Sequence, residues 1–556
     1  MATIRLSNFE GGLFLGAPPD KMPQGTLRRA LGLHDLMAGR LRTRNGKTLI
    51  TSGLGDIHSL YRFDSVRFIG EGVNVKRNGS NVLTNQDGTR LAFVSMQVGL
   101  GVTDFLFVAG GGALRKIDKS GTATAWGKSG AGVTVADVVS GSVFWPAGLY
   151  KAFNTFYSSV SGYESNPGGG DDATLNGTTE NLQFTLGSAL DSYFDFWRVY
   201  CTTTDGSEYF LLATVSSSPY THSATTTDPF DDLDTDSPLL TDNAKPANTY
   251  EDVAGPHVGR LWWGRVNADG ERGRVYFSPI GRPESVQGFI ELAADDDHVQ
   301  KLVIYGGQLF AFTTRGISRI DGLEDAFAFS RVPGALGTSA PFTVVATTRG
   351  VFYLAADGVR VFDGSTSELV GFDALGILFR GESVDDGYHG AIEGIVGGYY
   401  HDHYLISNGP KTYALNVKTG AWREPGYPAK AFYYEDETDL LIVGDPDGGT
   451  YIAEAEGVFT DDGLNINFEW ETPHIRANET PELFVRGVRL DAVLNNQTVK
   501  VDAVIDGLPF RLANISGGRR RIYDLPVNRS VRQFALRLHG SCNQPVEVNA
   551  IDLIVP

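Results

Sequence analysis

A chain of 556 residues is too long for one hydrophobic core, because single cores stop growing beyond about 250–300 residues. Its formal net charge of −19 opposes tight wrapping of nucleic acid, which needs clustered Lys and Arg facing phosphates. The two cysteines, Cys201 and Cys542, lie far apart in sequence and are too few for a disulfide framework, while 68 Gly, 32 Phe and 22 Tyr beside 4 Met point to an all-β protein with many turns.

At the N-terminus, MATIRLSNFEGG lacks the charged start and apolar run of a secretion leader. Residues 1–50 read as an arm ending in a first strand. Residues 51–142 follow with two hairpin signals, VRFIGEGVNVKRNG at 66–79 and FLFVAGGGALRKID at 105–118. The stretch 91–114 is apolar enough to raise a membrane span, but Gln97, Asp104 and its glycines divide it into two short strands. No membrane span is expected.

Residues 143–240 change character. NLQFTLG, FDFWRVYCTTTDG and SSPYTHSATT alternate over about 100 residues and predict an inserted fibronectin III or immunoglobulin-like β-sandwich. The acidic run TTTDPFDDLDTDSPLLTDN closes it. From 241 to 457 the hairpins resume, at RLWWGRV with GRVYFS (260–278), LFAFTTRGISRIDG (309–322), VFYLAADGVRVFDG (351–364), HYLISNGPKTYALNVKTG (403–420) and DLLIVGDPDGGTYI (439–452). The tail 458–556 alternates in INFEWETP, LFVRGVRLDAVL and RQFALRLHG and predicts a C-terminal β-sandwich.

Each hairpin copy is strand, tight turn with Gly, strand, then a second turn, often Asp-Gly. Spacing near 40 residues with several short strands per unit is the pattern of β-propeller blades. The fold class expected is therefore all-β, a degenerate β-propeller with an inserted sandwich and a C-terminal sandwich. Seven copies allow six to eight blades, and closure would pair a strand of the N-terminal arm with the last copy.

The stretch 8–49, with Asn8, Phe9, Gly11, Gly12, Pro18, Pro19 and Pro23 followed by Gly39, Leu41, Arg44 and Gly46, resembles the entry segment of the tail nozzle proteins of short-tailed bacteriophages, also called tail tubular protein B. RLWWGRV followed by Ser278, Pro279, Pro283 and Glu284, and the order of propeller half, insert, propeller half and β tail, extend the resemblance over nearly the whole chain. The resemblance implies a virion structural protein, made in the host cytoplasm. It would form a homohexameric ring below the head-to-tail adaptor, with tail fibre or spike and tip or needle proteins as further partners. Genomic DNA would be retained and ejected through the lumen without specific binding, and an acidic wall suits such passage.

Residue by residue, the chemistry-bearing candidates favour structural roles. His401 and His403 would share one face of a strand, where ordinary strand histidines are commoner than metal ligands. Asp295, Asp296, Asp297 and His298, and Asp232, Asp234 and Asp236, could coordinate calcium, but solvated acidic loops are the reading preferred for both. The second departs from the EF-hand pattern, with Ser237 where Gly is required and Asn243 where the bidentate Glu belongs. Arg519, Arg520 and Arg521 form the dense basic cluster. Trp262 and Trp263 are expected to split between core and a blade-to-blade contact. GxSxG, HExxH and Walker motifs are missing from the sequence, so no catalytic, cofactor or metal residue is assigned and the chain is expected not to be an enzyme. The alternatives are a phage propeller that binds or cleaves host carbohydrate, which needs two convergent carboxylates for cleavage, and a bacterial surface or periplasmic ligand-binding propeller.

Overall fold

The copy VFYLAADGVRVFDG shows how this sequence builds a sheet. Gly350–Ala355 is buried along its whole length and pairs antiparallel with Gly358–Phe362, Ala355 opposite Gly358. The turn is therefore Ala356-Asp357, and Gly358 opens the outgoing strand at φ 136°, where a side chain would be strained. Asp363 closes the unit: its carboxylate accepts the Ser365 and Thr366 amides at 2.8 and 2.7 Å, an Asx turn that fixes the exit. Val345–Thr347 and Ser367–Leu369 flank the hairpin and complete a four-stranded antiparallel sheet.

A computed structural model describes residues 2–6, 8–34, 39–98, 103–292, 296–323, 326–371, 375–376, 383–384, 388–389, 394–476 and 482–556. The chain is all-β, a degenerate β-propeller with an inserted β-sandwich and a C-terminal β-sandwich. It divides into two compact units, one of residues 1–90, 312–318 and 331–556, the other of residues 91–311 and 319–330. Among the described residues no helix is long and apolar enough to cross a membrane.

In the first unit, blade sheets are built on Ile57–Leu83, on Val345–Leu369, on Val396–Arg423 and on Ala431–Ala453. The last of these has only three strands of its own. Lys47–Ser52 supplies the fourth, antiparallel to Gly449–Ala453, which is the closure expected from the arm. The rest of the arm is dealt out elsewhere in the unit. Gly12–Leu13 and Thr26–Leu27 extend the sheet of Trp422–Arg423, and Arg29–Leu31 pairs with Leu464–Glu471.

The C-terminal sandwich takes Ala2–Leu6 as an edge strand on Glu547–Val555, followed by Leu483–Val493 and Arg521–Val531. Its other sheet runs Leu464–Glu471, Gln533–Cys542, Val499–Ile505, Leu508–Ile515. Alternation sends Val485, Leu490, Val501, Leu536, Leu538, Ile551 and Leu553 into one core, each worth roughly 1.5–3 kcal/mol on burial. The N-terminal arm is thus part of this sandwich as well as of two blades, rather than a separate leading segment.

Ala92–Ala125 and Tyr250–Glu291 form blade sheets in the second unit, and Val299–Tyr305, Gln308–Thr313, Ile317–Leu323 and Ala326–Arg331 order a further four-stranded sheet. The insert between the first two is a sandwich. One sheet holds Val133–Val139, Glu180–Leu186 and Tyr220–Thr221. The other runs Asp171–Leu175, Gly148–Tyr157, Phe196–Cys201, Phe210–Val215, Asp234–Pro238. The Val133–Val139 strand pairs with Glu180–Leu186, so the insert begins ten residues before 143. VTVADVV alternates like any blade strand, and its hydrogen-bonded neighbour Glu180–Leu186 belongs to the insert.

Candidate functional site

Several of the residues that carried the resemblance are buried fasteners within each unit, while Asn8, Gly11, Pro18 and Pro23 are exposed. Arg44, only 1% exposed, donates to both carboxylate oxygens of Asp461 at 2.9 and 2.6 Å and to the Asn45 carbonyl at 2.8 Å. It also donates to the Pro425 carbonyl and lies over the Tyr427 ring. Burial opposes its charge, but the Asp461 bond and charge outweigh that and hold it above its ordinary pKa. One guanidinium therefore links the arm, the loop after Trp422–Arg423 and the start of the C-terminal sandwich. Glycines of the same stretch admit no side chain: a Cβ on Gly12 would lie 2.4 Å from the Trp422 carbonyl oxygen, one on Gly46 2.0 Å from that of Thr460, and one on Gly39 2.6 Å from the Asn8 Cα.

The second cluster belongs to the second unit. Lys116 and Glu284, both fully buried, form an ion pair at 3.1 Å. Tyr193 of the insert donates its hydroxyl to the same carboxylate, and its ring faces the Lys116 ammonium, 2.8 Å from the centroid. Trp126 donates Nε1 to the Pro283 carbonyl at 2.7 Å. Burial pushes the Lys116 ammonium down to about 8 against the pull of Glu284. Ser278, also buried, accepts the Leu261 amide at 3.0 Å. Sequence reasoning did not single out Lys116, Tyr193 or Asp461, because a charge is normally read as exposed.

A cavity of about 900 Å3 opens in the first unit between the Val396–Arg423 and Ala431–Ala453 sheets and the arm. Arg423 holds Glu454 through two bonds of 2.8 and 3.0 Å and donates to the Leu33 carbonyl at 2.9 Å. Burial favours the neutral acid, yet Arg423, His403 and His34 together keep the Glu454 carboxyl below its ordinary pKa. At the mouth, Lys418 bonds Asp402, and the His401 Nε2 meets Asp439 at 2.8 Å with the imidazole stacked on Tyr400. These charges are paired within the fold, so the arrangement braces two blades around a polar opening.

The two histidines do not share a strand face. Tyr400 pairs with His403, which makes His401-Asp402 the hairpin turn, His401 at φ 41°, and His403 a buried strand residue. GGYYHDHYLI contains no Gly or Asn at that turn and therefore read as continuous strand. Asp232 is used internally, accepting Trp145 Nε1 at 2.9 Å, while Asp234 and Asp236 are exposed on the Asp234–Pro238 strand. Asp295 lies outside the described residues; Asp297 is buried. No group of three or more His, Cys, Asp or Glu able to hold a metal occurs among the described residues. Arg520 pairs with Asp491 at 2.9 Å. Trp262 and Trp263 are both fully buried, the first against Phe277 and Phe327, the second against Trp126 and Tyr250. Each ring packs against a neighbouring sheet or its flank, rather than one alone. Cys201 and Cys542 are free thiols, buried, and burial raises both pKa values, that of Cys201 to about 12.

No family model and no curated protein matches the chain. Among solved structures it is similar to the computationally designed Ika8 protein (13% identity, TM-score 0.33, covering 74% of this chain and 99% of that one). It is also similar to PorZ, a bacterial surface component of the type-IX secretion system of Porphyromonas gingivalis (12%, 0.27, 91% and 78%), and to the Neurospora crassa Pan2 WD40 domain (10%, 0.29, 74% and 94%). Likeness at this level carries no functional argument.

Proposed function

We propose that this chain is a structural subunit of a short phage tail, a nozzle protein that works by assembling into a ring for DNA to traverse. The observation that supports it is the use made of the motif residues. Gly12, Gly39, Arg44 and Gly46 in one unit, and Ser278, Pro283 and Glu284 in the other, are buried at joints between separate chain segments. Residues kept for shape at such joints suit a protein whose work is holding a shape. The acidic balance of −19 suits a wall past which phosphates slide. The test is the mass and symmetry of the particle-borne protein, by native mass spectrometry and negative-stain imaging of tails released from virions carrying this chain. A six-fold ring around a duplex-wide channel supports the reading; a monomer, or absence from the virion, overturns it.

A second reading, a carbohydrate-binding propeller, draws on the polar cavity with Tyr400 at its lining. Retention of the protein on a glycan array, lost in Tyr400→Ala, would favour it; silence across the array counts against it.

A further inference from the structure

Among the described residues, one side of the C-terminal sandwich is uncovered. Leu508–Ile515 ends one of its sheets and Arg521–Val531 ends the other, each with a single strand partner. The two edges abut, the Arg529 guanidinium lying 4.1 Å from the Phe510 ring centroid. Their side chains are unusual for a solvated edge. Leu508 is 73% exposed, Ile522 59% and Phe510 42%. Around them stand Arg519, Arg521, Arg529 and Arg532, exposed and forming no ion pair among the described residues. A long, apolar, basic edge on a chain of net charge −19 is the kind of surface that proteins otherwise cover or blunt.

An opposite surface exists in the same sequence. Asp234–Pro238 is the terminal strand of the five-stranded insert sheet, pairing only with Phe210–Val215. Asp234 and Asp236 on it, and Asp231 in the short helix Pro229–Asp232 just before it, are exposed and make no ion pair among the described residues. Their bonds are short-range: Thr226 to Asp231 and Ser237 to Asp234. Phe230 and Leu240 flank the strand, 56% and 39% exposed. Each edge therefore offers apolar side chains set among charges, and the charges are of opposite sign.

We infer that the arginine-bearing edge of the C-terminal sandwich docks the aspartate-bearing edge of the insert of a second copy of this chain, a head-to-tail contact. Two different patches meeting between identical chains make a heterologous interface, which generates rings when the rotation closes; the inference rests on the ring reading and names its contact. Pro526 and Pro238 each remove a donor from their edge, so the contact is made by side chains rather than by a continued hydrogen-bond ladder. Charge complementarity fixes the register and speeds encounter. Leu508, Phe510 and Ile522 against Phe230 and Leu240 supply the apolar burial.

The experiment is a charge-exchange assay on the full chain, by sedimentation velocity across protein concentration at low salt. One variant carries Arg519→Glu, Arg521→Glu and Arg529→Glu; the other carries Asp231→Lys, Asp234→Lys and Asp236→Lys. The wild type self-associates, and each variant alone weakens association by about tenfold or more. A 1:1 mixture of the two restores it, because each reversed edge then meets an opposite one. Thermal melting of each variant separates lost contact from lost fold, and restoration in the mixture does so independently. A wild type that stays monomeric throughout, or variants that associate as the wild type does, overturns the contact. So does retention of duplex DNA that the arginine reversals abolish, which would make the basic edge a polyanion site. In the second of these cases a ring in released tails would still stand, so failure of the contact and failure of the ring reading are read on different samples.

Discussion

Lys116 is a residue whose burial has a pH signature. Its ordinary pKa of 10.5 falls to about 8 in the folded protein, so between these values the unfolded chain holds a proton that the folded chain has released. Stability from this group therefore rises with pH across about 8 to 10.5 and is flat below it. The expected outcome is that the denaturant midpoint of the wild type rises relative to that of Lys116→Met/Glu284→Gln as pH goes from 8 to 10. Equal slopes would remove the claim. Removing only one partner is the harsher change: Glu284→Gln leaves a buried ammonium against Tyr193 and should cost about 3–5 kcal/mol in urea unfolding. Gly46→Ala acts by sterics alone. Its new methyl would meet the Thr460 backbone, with 2.0 Å to the carbonyl oxygen, and a loss of roughly 2–4 kcal/mol is expected by the same measurement.

Among the elements, the closing strand Lys47–Ser52 is the most exposed to test. It belongs by sequence to the arm and by pairing to the last blade, with Leu49 opposite Tyr451. Leu49→Pro removes a ladder donor there, and limited proteolysis should then cut within 431–453 while the 484–555 strands stay protected. Uniform resistance would show that the strand is dispensable. The copies themselves were legible because buried strands such as Leu309–Phe312 and Leu441–Val443 belong to apolar runs that recur about every 40 residues or less. Turn chemistry was less so: the first blade turns at Asp64-Ser65, both at positive φ, where Gly or Asn is the usual signal. Apart from the closing strand, the arm's partners were not legible. Strands of two or three residues carry no periodicity, and Ala2–Leu6 finds its partner at Ile551–Val555, at the other end of the chain. The buried Arg44 and Lys116 were equally hidden, since nothing local distinguishes a charge that will be paired inside from one left in water.

For the whole molecule, charge decides how the chain treats nucleic acid. With 47 Lys and Arg against 66 Asp and Glu, and many of the cations held in pairs such as Arg44 with Asp461 and Arg423 with Glu454, the cations left to displace counterions from a duplex are few, and those on the Arg519, Arg521, Arg529 and Arg532 edge are covered in the inferred contact. Binding that neutralises several phosphates weakens steeply with salt, the slope reporting the number of contacts. A wall that lets DNA slide should give neither appreciable affinity nor slope. Fluorescence anisotropy of a labelled 20-base-pair duplex, titrated with the protein from 50 to 200 mM salt, is expected to show no saturation at micromolar protein and no salt dependence. Saturable binding that falls about 10³-fold or more over that range would instead mark a phosphate-gripping surface. Such a result would contradict passage without specific contact, and with it the proposed place of this chain around the DNA path.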